Sequence, residues 1–232
     1  MSNMLSKRLI EVSKFVKPQA RLVDVGSDHA YLPISLIENK TIDFAIAGEV
    51  AAGPLHNSEQ NISYHNLEDK IQARLGDGLD VIEKEDQIDT AVIAGMGGIL
   101  ITEILQRFVN RQEFTIESLI LQPNIGESLV RSWLMEHNYE IVNENILAED
   151  GHSYEIIVGK LVSTTPEYSR EDLLVGPILK KNKNSAFIDK WNRKLKKYRK
   201  TLVGISNAQQ PDQEKIQQVK ADINILEGLL ND

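Results

Sequence analysis

No cysteine occurs among the 232 residues, which excludes a disulfide framework and thiolate catalysis. A reducing cytoplasm is the compartment that suits such a chain. No apolar segment approaches the roughly 20 residues needed to span a bilayer. The N-terminal stretch MSNMLSKRLIEVSKFVK places Leu5, Leu9, Val12 and Val16 at helical spacing, but Lys7, Arg8, Glu11 and Lys14 interrupt it. Neither a signal peptide nor a membrane anchor is expected from it. The five histidines, at 29, 56, 65, 137 and 152, show no metal-ligand spacing, so no metal site is expected. Internal repeats and low-complexity segments are also missing.

What is present is 41% hydrophobic content, enough for one good core plus an appendage. The net charge of −8 hides an asymmetry. Beyond Val162 there are 13 basic residues against nine acidic ones, a local +4, which leaves −12 on the rest. An acidic body with a basic end invites a polyanionic partner for that end. A merely solvated helix face is the alternative.

The first two-thirds alternates short apolar runs with amphipathic stretches. The runs RLVDVG (21–26), DFAIAGEV (43–50), IQARLGDG (71–78), IDTAVIAG (88–95) and SLILQPN (118–124) end in glycine, an acid or proline. This predicts strands buried on both faces, in a parallel sheet with helices on each side. The rhythm changes at 139–162, where two extended runs flank the turn signal DGH at 150–152. A terminal β-hairpin closes a class I methyltransferase sheet, whereas a dehydrogenase sheet is normally all parallel. After a connector starting at Ser163, Phe187, Trp191, Leu195, Tyr198, Leu202 and Ile205 form one apolar seam. Ile216, Val219, Ile223, Leu226 and Leu230 form a second, beyond Pro211. The pattern predicts an antiparallel, coiled-coil-like helical hairpin. Two domains are expected, 1–162 and 163–232.

In an open parallel sheet, ligands bind outside the carboxyl ends of the strands. There the first strand runs into Asp24-Val25-Gly26-Ser27-Asp28-His29-Ala30-Tyr31. A dinucleotide pyrophosphate wants G-x-G-x-x-G at this point, and two of the three glycines are missing. Asp28 would repel it as well. S-adenosylmethionine carries no phosphate; it brings a sulfonium and an ammonium, which acids suit. Glu49, past the second strand, can accept from ribose hydroxyls. Asp77, past the third, can accept from an adenine amino group. Ala94-Gly95-Met96-Gly97, past the fourth, lets the backbone approach the methyl donor, with Met96 covering adenine or sulfur. Taken singly, Asp24 reads equally as a structural turn acid and Glu49 as a helix-cap neighbour.

The motifs LSKRL, DVGSDHAYLP, GEVAAGPL, RLGDGL, VIAGMGG and LQPN, spread over nearly the whole chain, resemble the bacterial TrmK family, the tRNA adenine-22 N1-methyltransferases. The resemblance implies an α/β class I S-adenosylmethionine-dependent methyltransferase fold. This is Rossmann-like, with a seven-stranded sheet and terminal β-hairpin, plus a C-terminal antiparallel helical coiled-coil hairpin. It implies S-adenosylmethionine as cofactor and tRNA as partner; no membrane and no metal are expected from the residues themselves, and a monomer is the expectation for the oligomeric state. The candidate cofactor set is Arg8, Asp24, Gly26, Ser27, His29, Glu49, Val50, Asp77, Gly78, Ala94, Gly95, Met96 and Gly97. The candidate catalytic set is Asp28, Tyr31 and Asn124. Arg8 would pair with the methionine carboxylate, or be a surface arginine. Asp28 would accept from the target adenine N6–H, or cap the helix near Tyr31. Asn124 would bond an adenine edge, or cap the helix at Glu127. Many N-methyltransferases carry an N-P-P-Y-type motif after the fourth strand; AGMGG stands there instead. Alternative readings are a methyltransferase acting on another RNA or a small molecule, an RNA-binding protein with a vestigial nucleotide fold, and an NAD(P) oxidoreductase.

Overall fold

The computed structural model describes residues 5–111, 113–208 and 210–231. Seven strands form one sheet in the order β3-β2-β1-β4-β5-β7-β6. They are β1 (Arg21–Val25), β2 (Phe44–Glu49), β3 (Ile71–Leu75), β4 (Thr90–Gly97), β5 (Ser118–Ile125), β6 (Tyr139–Glu149) and β7 (His152–Leu161). β1 to β5 are parallel; β7 runs antiparallel between β5 and β6. The expected hairpin is therefore present, with its second strand inserted beside the last parallel one.

Alternation along the strands builds two buried layers. Val23, Val25, Ile46, Ile93, Leu119 and Leu121 face one way, against Ile101, Leu105, Val130 and Leu134. Those side chains come from α4 (Gly98–Arg111) and α5 (Glu127–Glu136). Leu22, Ala45, Ala47, Val92, Ile120 and Ile156 face the other way, against Val12, Leu32, Leu36 and Ile62. These belong to α1 (Lys7–Ser13), α2 (Tyr31–Glu38) and α3 (Ala52–Tyr64). β1 lies at the switch point, with β2 on one side and β4 on the other, so its carboxyl end opens where a ligand can enter.

Past the sheet, the expected connector contains a helix, α6 (Arg170–Val175), started by a reciprocal Ser169–Asp172 capping box. The long α7 (Ser185–Ser206) and α8 (Gln213–Asn231) then form the helical hairpin. Phe187, Trp191, Leu195, Ile223 and Leu226 are buried between them, as their spacing predicts. The same cluster takes in Ile146 of β6, so the sheet edge contributes to the core of the helical region.

Candidate active site at the strand tips

β1 ends at Val25 and the chain turns through Gly26 at φ +68°. A Cβ at this position would sit 2.6 Å from Met96 Cε, so glycine lets the tip of β4 close over the turn. Asp28, His29 and Ala30 then follow at φ +45°, +69° and +57°. Left-handed backbone at non-glycine residues costs on the order of 1–3 kcal/mol each and needs support from its surroundings. Support comes from two side chains. Asp28 N–H donates to Glu49 Oε1 at 2.8 Å, and Asn61 Nδ2 donates to the His29 carbonyl at 2.7 Å. The turn leaves the Asp28 side chain 88% exposed, 3.7 Å from His29 Nε2, and stacks the His29 ring on Tyr31 at 5.3 Å. The helix-capping alternative for Asp28 is thereby removed: Ala30 is the N-cap of α2 and no side chain bonds there.

The two acids deeper in the cleft are buried. Asp24 accepts from Ser27 Oγ at 2.6 Å. Burial pushes its carboxyl up to about 7; the Ser27 hydroxyl opposes this, the Glu49 charge adds to it, and Arg8 opposes it. Glu49 is also raised by burial, against the Asp28 N–H and Ser58 Oγ, which both bond its Oε1. Its Oε2 takes part in neither bond and is free for a hydroxyl. Asp77, more exposed, pairs with Arg107 Nη2 at 2.8 Å.

A register shift around Gly95 bulges β4 against β5 and turns Met96 over Gly26. Gln122 of β5 accepts at Oε1 from Gly95 N–H (3.0 Å) and Arg8 Nη1 (2.5 Å). Arg8 reaches this point because Glu149 of β6 accepts from the N–H groups of Lys7 and Arg8 and so holds the start of α1. Arg8 is thus built into the site, not loose on the surface. Asn124 does not cap α5, whose N-cap is Gly126. Its Nδ2 donates to the Gly95 carbonyl at 2.7 Å and its Oδ1 accepts from Gln122 Nε2 at 3.2 Å, leaving one N–H and one lone pair for a partner.

The fold thus brings Arg8, Asp24, Gly26, Ser27, Asp28, His29, Glu49, Gly95 and Met96 into one connected region. Val50, just past Glu49, is 73% exposed, and a Cβ on Gly97 would meet nothing within 4 Å. At Gly78 a Cβ would lie 2.7 Å from Ile104 of α4, so glycine lets that helix pack close to the third strand tip. Ser58, Asn61 and Glu149 lie outside the expected set; each bonds a group at least nine residues away in sequence, which no local pattern announces. Carboxylates ring a glycine turn with no second or third glycine. That arrangement fits a cationic nucleoside such as S-adenosylmethionine and repels a pyrophosphate. Among the described residues, no group of three or more His, Asp or Glu could hold a metal ion.

Beyond the tip of β5 lies an open cleft of about 350 Å³, lined by Asn124, Ile125 and Glu127 together with Lys190, Arg193, Lys194 and Lys197 of α7. The basic side chains of the helical region are not uniformly free. Lys180 pairs with Glu171 and Asp172, and Arg199 with Glu227. Lys190 is buried and pairs with Glu127 and Glu155. Arg131 of α5, fully buried, donates to Glu144 (2.7 Å) and Glu155 (2.5 Å). Burial alone would raise the Glu155 carboxyl, but Arg131 and Lys190 outweigh it and hold it low. These charges join α5, β6, β7 and α7. Lys194, Lys196, Lys197 and Lys200 form no ion pair among the described residues. Arg193, which donates only to the Gly151 carbonyl and Ser153 Oγ, likewise has no carboxylate partner among the described residues.

A family model described as TrmK, tRNA (adenine(22)-N(1))-methyltransferase, matches residues 22–228. The tRNA (adenine(22)-N(1))-methyltransferase of Bacillus subtilis is 40% identical over 216 residues, 91% of this chain and 90% of the relative. A candidate tRNA (m1A22) methyltransferase of Streptococcus pneumoniae, solved with S-adenosyl-L-methionine, superposes with a TM-score of 0.87 at 41% identity, covering 98% of this chain and all of that one. The M. capricolum TrmK structure with S-adenosyl-homocysteine gives 0.85 at 29% identity, covering 99% of both chains.

Proposed function

The chain belongs to the TrmK family of tRNA (adenine(22)-N(1))-methyltransferases, and on that premise we propose that its strand-tip cleft transfers a methyl group from S-adenosylmethionine to N1 of an adenine in tRNA. The observation that carries the assignment of residues is the single-glycine turn at Gly26, closed by Met96 and ringed by Asp24, Asp28 and Glu49. Asp24 faces the cationic end of the cofactor, Glu49 Oε2 its ribose, and Arg8 its carboxylate. The glycines at 95 and 97 admit its sulfonium side. The bound cofactor supplies an electrophilic methyl on a positively charged sulfur.

Adenine N1 is an unprotonated lone pair at neutral pH, so no general base is required. The residues must instead align the base and favour the positive charge that grows on its ring. The exposed Asp28 carboxylate stands at the cleft rim, able to accept from N6–H and to favour that charge. Tyr31, stacked with His29, offers a ring face beside it. The free N–H and lone pair of Asn124 offer a polar edge from the opposite strand tip. Lys194, Lys197 and Lys200 on α7 hold the tRNA backbone through phosphate contacts, with the helical region 163–232 acting as the docking domain.

Nucleoside mass spectrometry of tRNA incubated with the protein and S-adenosylmethionine tests the reading. The expected product is 1-methyladenosine at a single position. Unmodified tRNA, or a methyl group on another base, would refute it.

A further inference from the structure

Ten large apolar side chains are well exposed among the described residues, and four of them, Ile99, Leu100, Ile125 and Leu129, gather at one place. Gly97 of β4 is paired with Ile125 of β5. Immediately beyond, the two chains touch backbone to backbone: a Cβ on Gly98 would lie 2.4 Å from the Gly126 carbonyl oxygen. Ile99 and Leu100 open α4 on one side of this contact. Leu129 reaches within 3.6 Å of the Cβ position of Gly126 on the other. Ile125 stands at the front, 73% exposed, next to Asn124, whose amide is bonded to Gly95 beside the methyl-transfer position. Ile125 also lines the cleft that Lys194 and Lys197 line.

A bare aliphatic ridge between a reaction site and a row of unpaired lysines is costly in water. Its chemistry suits one occupant: the stacked bases of a nucleic acid whose phosphates meet those lysines. An adenine inside a folded RNA arm has to leave its stack before N1 can reach a methyl group, and the gap it leaves has to be filled. Proteins that unstack nucleic acids do so with inserted aliphatic wedges. A β-branched side chain at the end of a paired strand is stiff at χ1 and keeps its direction under load.

We propose that Ile125, backed by Leu129 and Ile99, is the wedge that enters the RNA stack and fills the space vacated by the target adenine. The inference rests on the methyltransferase reading above. It adds the element that opens the substrate. Phosphates on either side of the gap would be held by Lys194 and Lys197, and the extruded base would pass Asn124 toward Met96 and Asp28.

Ile125→Ala tests this in the full-length protein, with Ile125→Leu as the conservative control. The side chain is exposed, so folding and S-adenosylmethionine affinity should match the wild type. Two substrates are compared under single turnover: a native tRNA, and one with an abasic nucleotide beside the target, where the stack is already broken. The expected result is a loss of about tenfold or more on native tRNA, recovery on the abasic tRNA, and near-normal behaviour for Ile125→Leu. Wild-type rates for Ile125→Ala on native tRNA, or an equal loss on both substrates, would overturn the wedge. A second arm is independent of chemistry: 2-aminopurine at the target position should brighten on binding wild type and stay dim with Ile125→Ala. Equal brightening would also overturn it. If the wild type methylated neither tRNA, the methyltransferase reading would fall, and the fluorescence arm would still decide the wedge.

Discussion

The most exacting consequence of the site concerns Asp24 and pH. In the free protein its carboxyl titrates at about 7, because burial disfavours the charge and Glu49 stands close behind it. A ligand that brings an ammonium and a sulfonium into the cleft favours the ionised form. Binding therefore releases a proton wherever free Asp24 is protonated, and affinity rises with pH up to its pKa. Treating bound Asp24 as fully ionised, affinity should increase about eightfold between about pH 6 and about pH 7.5. The upper limit matters, because an α-amino group itself loses its charge near pH 8. Folding carries the opposite sign. The native pKa is raised, so the stability linked to Asp24 is complete below its unfolded pKa and lost as pH climbs toward 7. Calorimetric titration of S-adenosylmethionine in buffers of different ionisation enthalpy reads both the affinity and the protons released. Asp24→Asn should flatten the affinity profile and abolish the proton release. Unchanged affinity across that range in the wild type, or an unchanged slope in Asp24→Asn, would refute the assignment of Asp24 to the cationic end.

Asp28→Asn suits the left-handed backbone at this residue and removes only charge; the single-turnover rate should fall about tenfold with cofactor affinity unchanged, less than for a buried group because the carboxylate is exposed. A wild-type rate would leave Asp28 no part in the chemistry. Changing Lys194, Lys197 and Lys200 together to Glu should weaken tRNA binding and lower the salt slope of log K by about 2–3, while S-adenosylmethionine binding stays as it was; identical slopes in filter-binding titrations would move the RNA footprint elsewhere. Arg131→Met leaves Glu144 and Glu155 buried with one cation fewer, and should cost about 3–5 kcal/mol in urea unfolding. A loss below about 1 kcal/mol would mean that the buried charges are not held as described.

Much of the fold was legible because it is written in local periodicity. Apolar runs ending in glycine or acid gave the five parallel strands, DGH gave the hairpin, and two seams around Pro211 gave α7 and α8. The strand tips were legible for the same reason, since a parallel sheet puts them all at one end. Resemblance to a known family sharpened these readings into a cofactor and a substrate. What escaped notice is long-range. Glu155 interrupts the apolar run of β7, and Arg131 sits beside Val130 on the inward side of α5; both are charges in apolar settings, a signal that was available. Their partners, Glu144, Lys190 and Glu127, could not be paired from sequence, because nothing local says which buried cation meets which buried anion. Lys190 is one of the 13 basic residues that give the C-terminal end its positive balance, yet it lies inside. The left-handed run at 28–30 was invisible too: it is imposed by Glu49 and Asn61, which lie more than twenty residues downstream.

The Arg131–Glu144–Glu155–Lys190–Glu127 cluster also limits how the molecule can be recombined. A helical hairpin borrowed from a relative docks here only if it brings a cation at the Lys190 position, since otherwise Glu155 loses one of its two cationic partners and Glu127 loses its partner altogether. Conversely, this hairpin placed on a foreign sheet would carry Lys190 into an apolar joint with nothing to neutralise it. The chain turns back at Gly176, where a Cβ would meet Glu144 and Arg131 within 2.8 Å, so the crossover into the hairpin has to be transplanted with the joint. The interchangeable unit is therefore not the stretch after residue 162 but that stretch together with α5, β6 and β7. Chimeras cut before α5 should fold and accept tRNA, while those cut at residue 162 should do so only when the five charges match.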